Sequence, residues 1–380
     1  MSASRGHFAH IDALRAIAAL LVVYAHTAEI FADPQGSWAR EISYQMDFGR
    51  TGVLIFFLIS GVLIPSSLRG NIGSGARSFV IRRFFRLFPL YWFSIPLGLI
   101  SMWWLQGLSL PSWEVALNLT MVQELFGARN VMPPYWTLRV ELYFYGLCLL
   151  LFLLGKLHQE GVIITMVLGA IGSQVLYQLA TSEEIAIGAL GSTTLTFLGF
   201  MFAGALWRLY LDGSISRFGS LLLKILALST GVVVPAVAAF IFVSRGHLTI
   251  QENQLSFSCA LATIVFVGGM TRVRITWRPI AWLGKVSYSI YLLHPVALYL
   301  IIWVVSRQPG GSILHGWPVP VYVLAVVSVT LAMSAVTYSF IEAPMIKLGQ
   351  RLTAKPPATE GEASYIAIRP STNSAEKAAP

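Results

Sequence analysis

Apolar residues along this chain come in blocks of about 20, separated by short polar stretches, from Ile11 almost to the end. A helix of ~20 apolar residues crosses the hydrocarbon layer of a bilayer. In lipid, each backbone N–H and C=O must be paired within its own segment. The blocks therefore predict ten transmembrane helices, at 11–31, 49–68, 86–107, 134–155, 161–180, 187–211, 221–243, 254–271, 280–305 and 319–341. The stretch 101–133 fits least. Its Trp103, Trp104 and Trp113 suit a membrane interface, where a short surface helix is expected. The first block follows a basic start (Arg5), and Ala25-His26-Thr27-Ala28 loosely matches a cleavage site. Asp12, Arg15 and His26 interrupt it and many spans follow, so it is expected to stay as the first helix.

Composition turns this pattern into a fold class. Of the 380 residues, 56% are hydrophobic and 11% charged, with a mean hydropathy of +0.70. Soluble domains carry about 25% charged residues. A soluble globular protein, a disordered chain and a nucleic-acid-binding surface are excluded. The expectation is an all-α polytopic membrane protein, with residues 1–348 forming one transmembrane domain. Residues 349–380, rich in Ala, Pro, Ser, Thr and Glu, are expected to be a disordered cytoplasmic tail. Ten spans put both termini on one side. Placing them in the cytoplasm puts nineteen Lys and Arg residues in inner segments and five in outer ones, a strong positive-inside bias. The net charge of +9 is thus mostly topology. Cys148 and Cys259 lie in apolar runs and suggest no disulfide framework. The scattered histidines offer no metal-ligand spacing, and no Walker loop, His-Glu-x-x-His or Gly-x-Ser-x-Gly motif is present.

Ionisable groups inside a bilayer are expensive and point to function. Arg15 and His26 are eleven residues apart on the first helix, so they share a face about 20° from register, ~16 Å apart along the axis. Arg83 and Arg86 open the third span at i, i+3, a spacing at which two guanidinium forks can clamp phosphate. The positive-inside rule explains them equally well. Glu141 lies on the fourth span and His294 on the ninth, where Ser287, Ile290, Tyr291 and His294 share a face. Glu342 ends the last span. Counted from the cytoplasmic side, His26, Glu141 and His294 come out at a depth of roughly 20 Å. The arginines and Glu342 come out near the inner surface. Two layers are expected: a cationic one suited to an anion and, above it, a His–Glu–His layer.

These residues resemble the bacterial membrane-bound acyltransferase-3 family from about His10 to Pro344. The likeness rests on Asp12-Ala-Leu-Arg15-Ala-Ile-Ala with His26; Phe56-Phe57-Leu58-Ile59-Ser60-Gly61; Arg82-Arg83-x-x-Arg86-Leu-x-Pro89; Trp136-Thr137-Leu138-x-Val140-Glu141-x-x-Phe144; Ser287-Tyr288-x-Ile290-Tyr291-Leu-x-His294; and Glu342-x-Pro344. The order of the pieces is more specific than any one of them. The resemblance implies an enzyme of the bacterial inner membrane that moves acetyl from acetyl-CoA onto hydroxyls of polysaccharides, lipid-linked glycans or glycosylated products. It implies essential roles for Arg15 and His26, a donor clamp at Arg83 and Arg86, and a functional Glu141. Some relatives carry an appended SGNH domain; none is expected here. Leu142 and Arg139 depart from the family's glutamate motif, which bears on the acceptor.

The expected mechanism makes His26 the general base toward an acceptor hydroxyl, histidine being the side chain that ordinarily exchanges protons near neutral pH. Glu141 orients its imidazole. Arg15, Arg83 and Arg86 hold the phosphates of the acyl-CoA co-substrate. Tyr288, His294 and Trp136 contact the acceptor. A covalent acyl-His26 intermediate is a variant. Expected partners are acyl-CoA, a carbohydrate or glycolipid acceptor and the lipid bilayer. A homo-oligomer or an association with glycan-assembly machinery is compatible with this. The competing expectations are a proton-coupled transporter or flippase of a glycan precursor, since membrane His and Glu residues also relay protons, and a membrane scaffold.

Overall fold

The structure is a computed structural model, and it describes residues 3–31, 46–181, 190–246, 250–273, 275, 277–309 and 312–354. Among these residues there is no strand. The helices are α1 (Ala3–Phe31), α2 (Phe48–Ser67), α3 (Ile72–Gly98), α4 (Ser112–Asn118), α5 (Tyr135–Leu153), α6 (Glu160–Thr181), α7 (Leu190–Leu211), α8 (Arg217–Leu228), α9 (Val234–Arg245), α10 (Ile250–Thr271), α11 (Arg278–Lys285), α12 (Ser287–Ser306), α13 (Val319–Thr337) and α14 (Ala343–Leu352). Wider π turns join α8 to α9 and α13 to α14, and another extends α3 to Trp104. Among the described residues, nine helical segments are long and apolar enough to cross a membrane. The tenth expected span, 161–180, coincides with the 22-residue α6. The chain is an all-α, multi-pass membrane protein. Asp33, Arg40, Glu41, Glu183 and Glu184, which the sequence reading expects on the outer side, the start of the 187–211 span, Arg274 and residues 355–380 of the expected tail lie outside the described residues.

Three boundaries move, each for a local reason. The third span starts at Ile72 rather than 86, because the Asn71 side chain caps the helix by accepting from the Gly73 N–H at 3.0 Å. Arg82, Arg83 and Arg86 are therefore inside a helix instead of opening one. The expected helix 280–305 breaks at Val286 into α11 and α12. α11 crosses the start of α1 so closely that a Cβ on Gly284 would lie 1.8 Å from the Asp12 carbonyl oxygen. Past this break, His294 sits seven residues into α12. The last helix passes through the π turn Tyr338–Glu342 and continues to Leu352, beyond the expected tail boundary at 349.

α2 is the hub of the bundle. Hydrophobicity gives no net attraction between helices in lipid, so small residues that admit close backbone contact decide which pairs pack. A Cβ on Gly52 would meet the Ala18 carbonyl oxygen of α1 at 2.4 Å, and one on Gly61 would meet the Met201 carbonyl oxygen of α7 at 1.8 Å. Gly204 of α7 returns the contact against Leu58.

The 101–133 region contains the expected short helix, α4, within a folded cap. The Asn118 amide donates to the carbonyls of Glu114 (2.8 Å) and Arg129 (2.9 Å), and its oxygen accepts from Val131 N–H (3.0 Å). Glu114 holds Arg129 through both carboxylate oxygens, and Trp103 donates to the Val131 carbonyl. Arg139, atypical of its motif, reaches from α5 into this cap to form a buried ion pair with Glu124.

Candidate active site

α1, α2, α3, α5 and α12 border a cavity of about 70 Å³, whose polar lining is Arg15, Ser60, Arg86, Thr137, Glu141, Ser287, Tyr288 and Tyr291. Each element contributes through its helical period. α1 turns Arg15 inward with the fully buried Ala18, Ala19 and Val22. α5 presents Thr137 and Glu141 one turn apart. Glu141 accepts from the Tyr145 hydroxyl at 2.6 Å, again at i+4. Arg83 lies just outside. Its guanidinium stacks over the rings of Tyr145 (5.3 Å) and Phe79 (5.4 Å) and donates to the Ser67 hydroxyl at 3.0 Å. Arg86 lies 3.9 Å from Glu342, a fully buried carboxylate in the π turn after α13 that also accepts from Ser289 at 2.7 Å. The Arg15 Nε–H is buried and meets no acceptor among the described residues.

The histidines form a second group. The His26 and His294 rings stack, with centroids 5.4 Å apart and planes 11° from parallel. His294 is buried, and its Nδ1 lies 2.7 Å from the Tyr291 carbonyl. Since a carbonyl only accepts, that nitrogen is the N–H. His26 is part-exposed, with Nδ1 3.3 Å from a Glu29 carboxylate oxygen. Tyr291 joins the two groups. It lines the cavity, packs its ring 5.9 Å from that of His294, and shares a 2.8 Å hydrogen bond with the Thr137 hydroxyl.

Much of the expected constellation is thus brought together, but in different partnerships. Arg15, Arg86 and Glu141 share one cavity, so Glu141 belongs with the arginines and not in a His–Glu–His layer. The carboxylate at His26 is Glu29, one turn along the same helix. His294 meets His26 as expected from depth. Tyr288 lines the cavity and donates to the Leu87 carbonyl at 2.8 Å. Trp136 packs on Phe197, 5.2 Å between ring centres, away from the cavity lining. Glu29, Tyr145 and Ser289 were not singled out from the sequence. The first two stand at i+3 and i+4 from His26 and Glu141, a helical spacing that could have found them. Ser289 reaches Glu342 across helices, and no local signal marks it.

A family model described as an acyltransferase domain, of the acyltransferase-3 type, matches residues 8–339. The chain belongs to the acyltransferase-3 family. Its similarity to nodulation protein 10 of Rhizobium leguminosarum bv. viciae is 26% identity, covering 93% of this chain and 97% of that protein. Similarity to the peptidoglycan O-acetyltransferase OatA of Listeria monocytogenes is 25% identity over 91% of this chain and 57% of the relative. Similarity to the putative peptidoglycan O-acetyltransferase YrhL of Bacillus subtilis is 26% over 90% and 55%. The chain spans somewhat more than half the length of these last two. No solved structure matches it. It is an acyltransferase, which decides against the transporter and scaffold expectations.

Proposed function

We propose that this acyltransferase moves an acetyl group from acetyl-CoA to a hydroxyl of a glycan in the bacterial inner membrane, with His26 as the general base. The carrying observation is the pairing of a buried cavity holding two arginines with a stacked histidine pair linked to it through Tyr291. The relatives named as O-acetyltransferases support the reaction class, and their peptidoglycan substrates support a glycan acceptor.

The residues fit the donor in two parts. The cavity, at about 70 Å³, is half the size of one that takes benzene (~150 Å³) and suits a group of acetyl size. The unpartnered Arg15 Nε–H is a ready donor to an anionic oxygen of the acyl-CoA, beside Arg86. The nucleotide cannot enter so small a space. Its phosphates belong on the open side of Arg83 and Arg86, with Glu342 and Ser67 aiming those guanidiniums.

At the base, Glu29 accepts the Nδ1–H of His26 and leaves Nε2 as the proton acceptor, the tautomer logic of catalytic triads. His294, with its Nδ1–H fixed on the Tyr291 carbonyl, stacks on His26 as a neutral ring. Two imidazolium cations at that distance would repel each other, so the proton taken from the acceptor rests on the part-exposed His26. The acceptor then approaches from the end of α1 that bears His26 and Glu29, opposite the arginine-rich end.

The test is acetyl transfer in proteoliposomes alongside equilibrium binding of acetyl-CoA. His26→Ala is expected to lower transfer by about 10²–10⁴-fold with binding retained, and Arg83→Ala/Arg86→Ala to lose binding. Near-normal transfer by His26→Ala would remove the base. Undiminished binding by the double variant would remove the clamp.

A further inference from the structure

A second cavity, of about 240 Å³, lies on the other side of α2, among α6, α7, α8, the π turn after α8, and α10. Its walls are almost wholly apolar, with Leu58, Val167, Phe200, Ala203, Leu223 and Phe266 among them. Ile171 at its rim is 43% exposed, so the slot opens toward the lipid. It is long and narrow: Thr196 and Trp207, both in the lining, are eleven residues apart on α7, or ~16 Å along the axis.

The lining hydroxyls of Thr230 and Thr263 satisfy each other at 2.8 Å. The indole of Trp207 does not follow this pattern. The residue is 7% exposed, yet its Nε1–H meets no acceptor among the described residues. The ring is fixed edge-on to Phe266, centroids 5.5 Å apart. A buried donor without a partner is destabilising, and in this otherwise hydrocarbon lining Trp207 carries one. It lies four residues from the end of α7. There Arg208 donates to Asp212 at 2.9 Å and Arg69 lies 3.6 Å from the same carboxylate, a charged layer suited to headgroups.

We propose that this slot binds one fatty-acyl chain of a bilayer glycerolipid, with the ester carbonyl accepting from Trp207 Nε1. A chain running away from the headgroup layer matches the length of the slot, and its glycerol ester comes level with Trp207. A polyprenyl phosphate has a comparable tail but no carbonyl. The acyl donor is separated by α2 itself: Phe57 lines the arginine cavity, whereas Leu58 lines this one. The site is independent of the assignment of His26.

The experiment uses full-length protein reconstituted in vesicles of diester phosphatidylglycerol or of its diether analogue, followed by native mass spectrometry of the lipid retained. Wild type is expected to hold the diester at least tenfold better than the diether. Trp207→Phe, which keeps the ring and removes the N–H, should erase that preference. Ala203→Phe, which fills the slot, should lower retention of both about tenfold. Equal retention of diester and diether by wild type would overturn the proposal. So would retention insensitive to Ala203→Phe, or preferential retention of an added polyprenyl phosphate. If Ala203→Phe does not yield folded protein, the Trp207→Phe comparison decides alone.

Discussion

Phe57 and Leu58 are neighbours on α2, yet they face cavities of opposite chemistry. The Phe57 side is small and lies among α1, α3, α5 and α12, and two guanidiniums and a carboxylate border it. The Leu58 side is larger, opens toward lipid and carries one unsatisfied N–H. Charges are tolerated at membrane depth where they pair with one another and face the interior of the bundle. Here Arg86 has Glu342 and Glu141 has Tyr145, while the Arg15 Nε–H meets no acceptor among the described residues. One helix can therefore separate a reaction chamber from a lipid slot because consecutive residues point about 100° apart.

The sharpest way to break this contrast is to exchange the arginine of the first cavity for an apolar residue of similar length. Arg15→Met is expected to weaken acetyl-CoA binding, and acetyl transfer with it, by about 10²-fold, the usual scale for removing one partner of a buried charged hydrogen bond. Ala203→Phe, on the other side of α2, should leave transfer near the wild-type rate. Comparable losses in both variants would show that the two cavities work as one.

The contrast was half legible in the sequence. Arg15, Arg86 and Glu141 stood out because ionisable residues in apolar blocks are rare, and helical arithmetic put His26 at the depth of His294. What the sequence could not give was rotation and tilt between helices. The close crossing of Gly284 over Asp12 lies beside Val286, where the ninth expected span divides into two helices. Nothing in a one-dimensional count placed Glu141 among the arginines. Most of the spans were plain: among the described residues, nine of the ten expected meet the length and hydropathy of a membrane crossing. The cap between α3 and α5 was obscure, because its order comes from side-chain bonds to backbone, those of Asn118 above all, and not from periodicity. The apolar slot left no trace in the sequence, since lipid-facing and cavity-facing leucines read alike.

The wall between the cavities offers the next test. Gly61 and Gly204 bring α2 and α7 to backbone contact, and a Cβ on Gly61 would lie 1.8 Å from the Met201 carbonyl oxygen. Gly61→Ala must push the helices apart. It is expected to destabilise by about 1–3 kcal/mol or more, as overpacking does. The measurement is thermal unfolding in detergent. Gly146 has open space around it, so Gly146→Ala serves as the control and should unfold near the wild-type temperature. Equal unfolding temperatures for both variants would mean that the close approach of α2 and α7 does not hold the wall.

The smallest expected effect comes from the ion pair in the cap, outside the spans. Hydrogen bonds from Arg129 hold the Glu114 carboxyl below its ordinary value of 4.5. Three bonds come from the Arg129 side chain, and the Arg129 backbone N–H adds a fourth at 2.8 Å. A carboxyl whose pKa is depressed on folding stabilises the fold above its unfolded pKa and loses that contribution as the pH falls through the folded value. Glu114→Gln should therefore weaken the cap at pH 7 and cease to matter under acid conditions. The readout is hydrogen exchange over residues 112–131, comparing wild type with the variant from pH 7 down to 3. The two profiles are expected to differ at pH 7 and to converge as the carboxyl protonates. A difference that persists unchanged to pH 3 would mean that the side-chain amide disturbs the loop by its shape, and that the charge of Glu114 plays no part in ordering it.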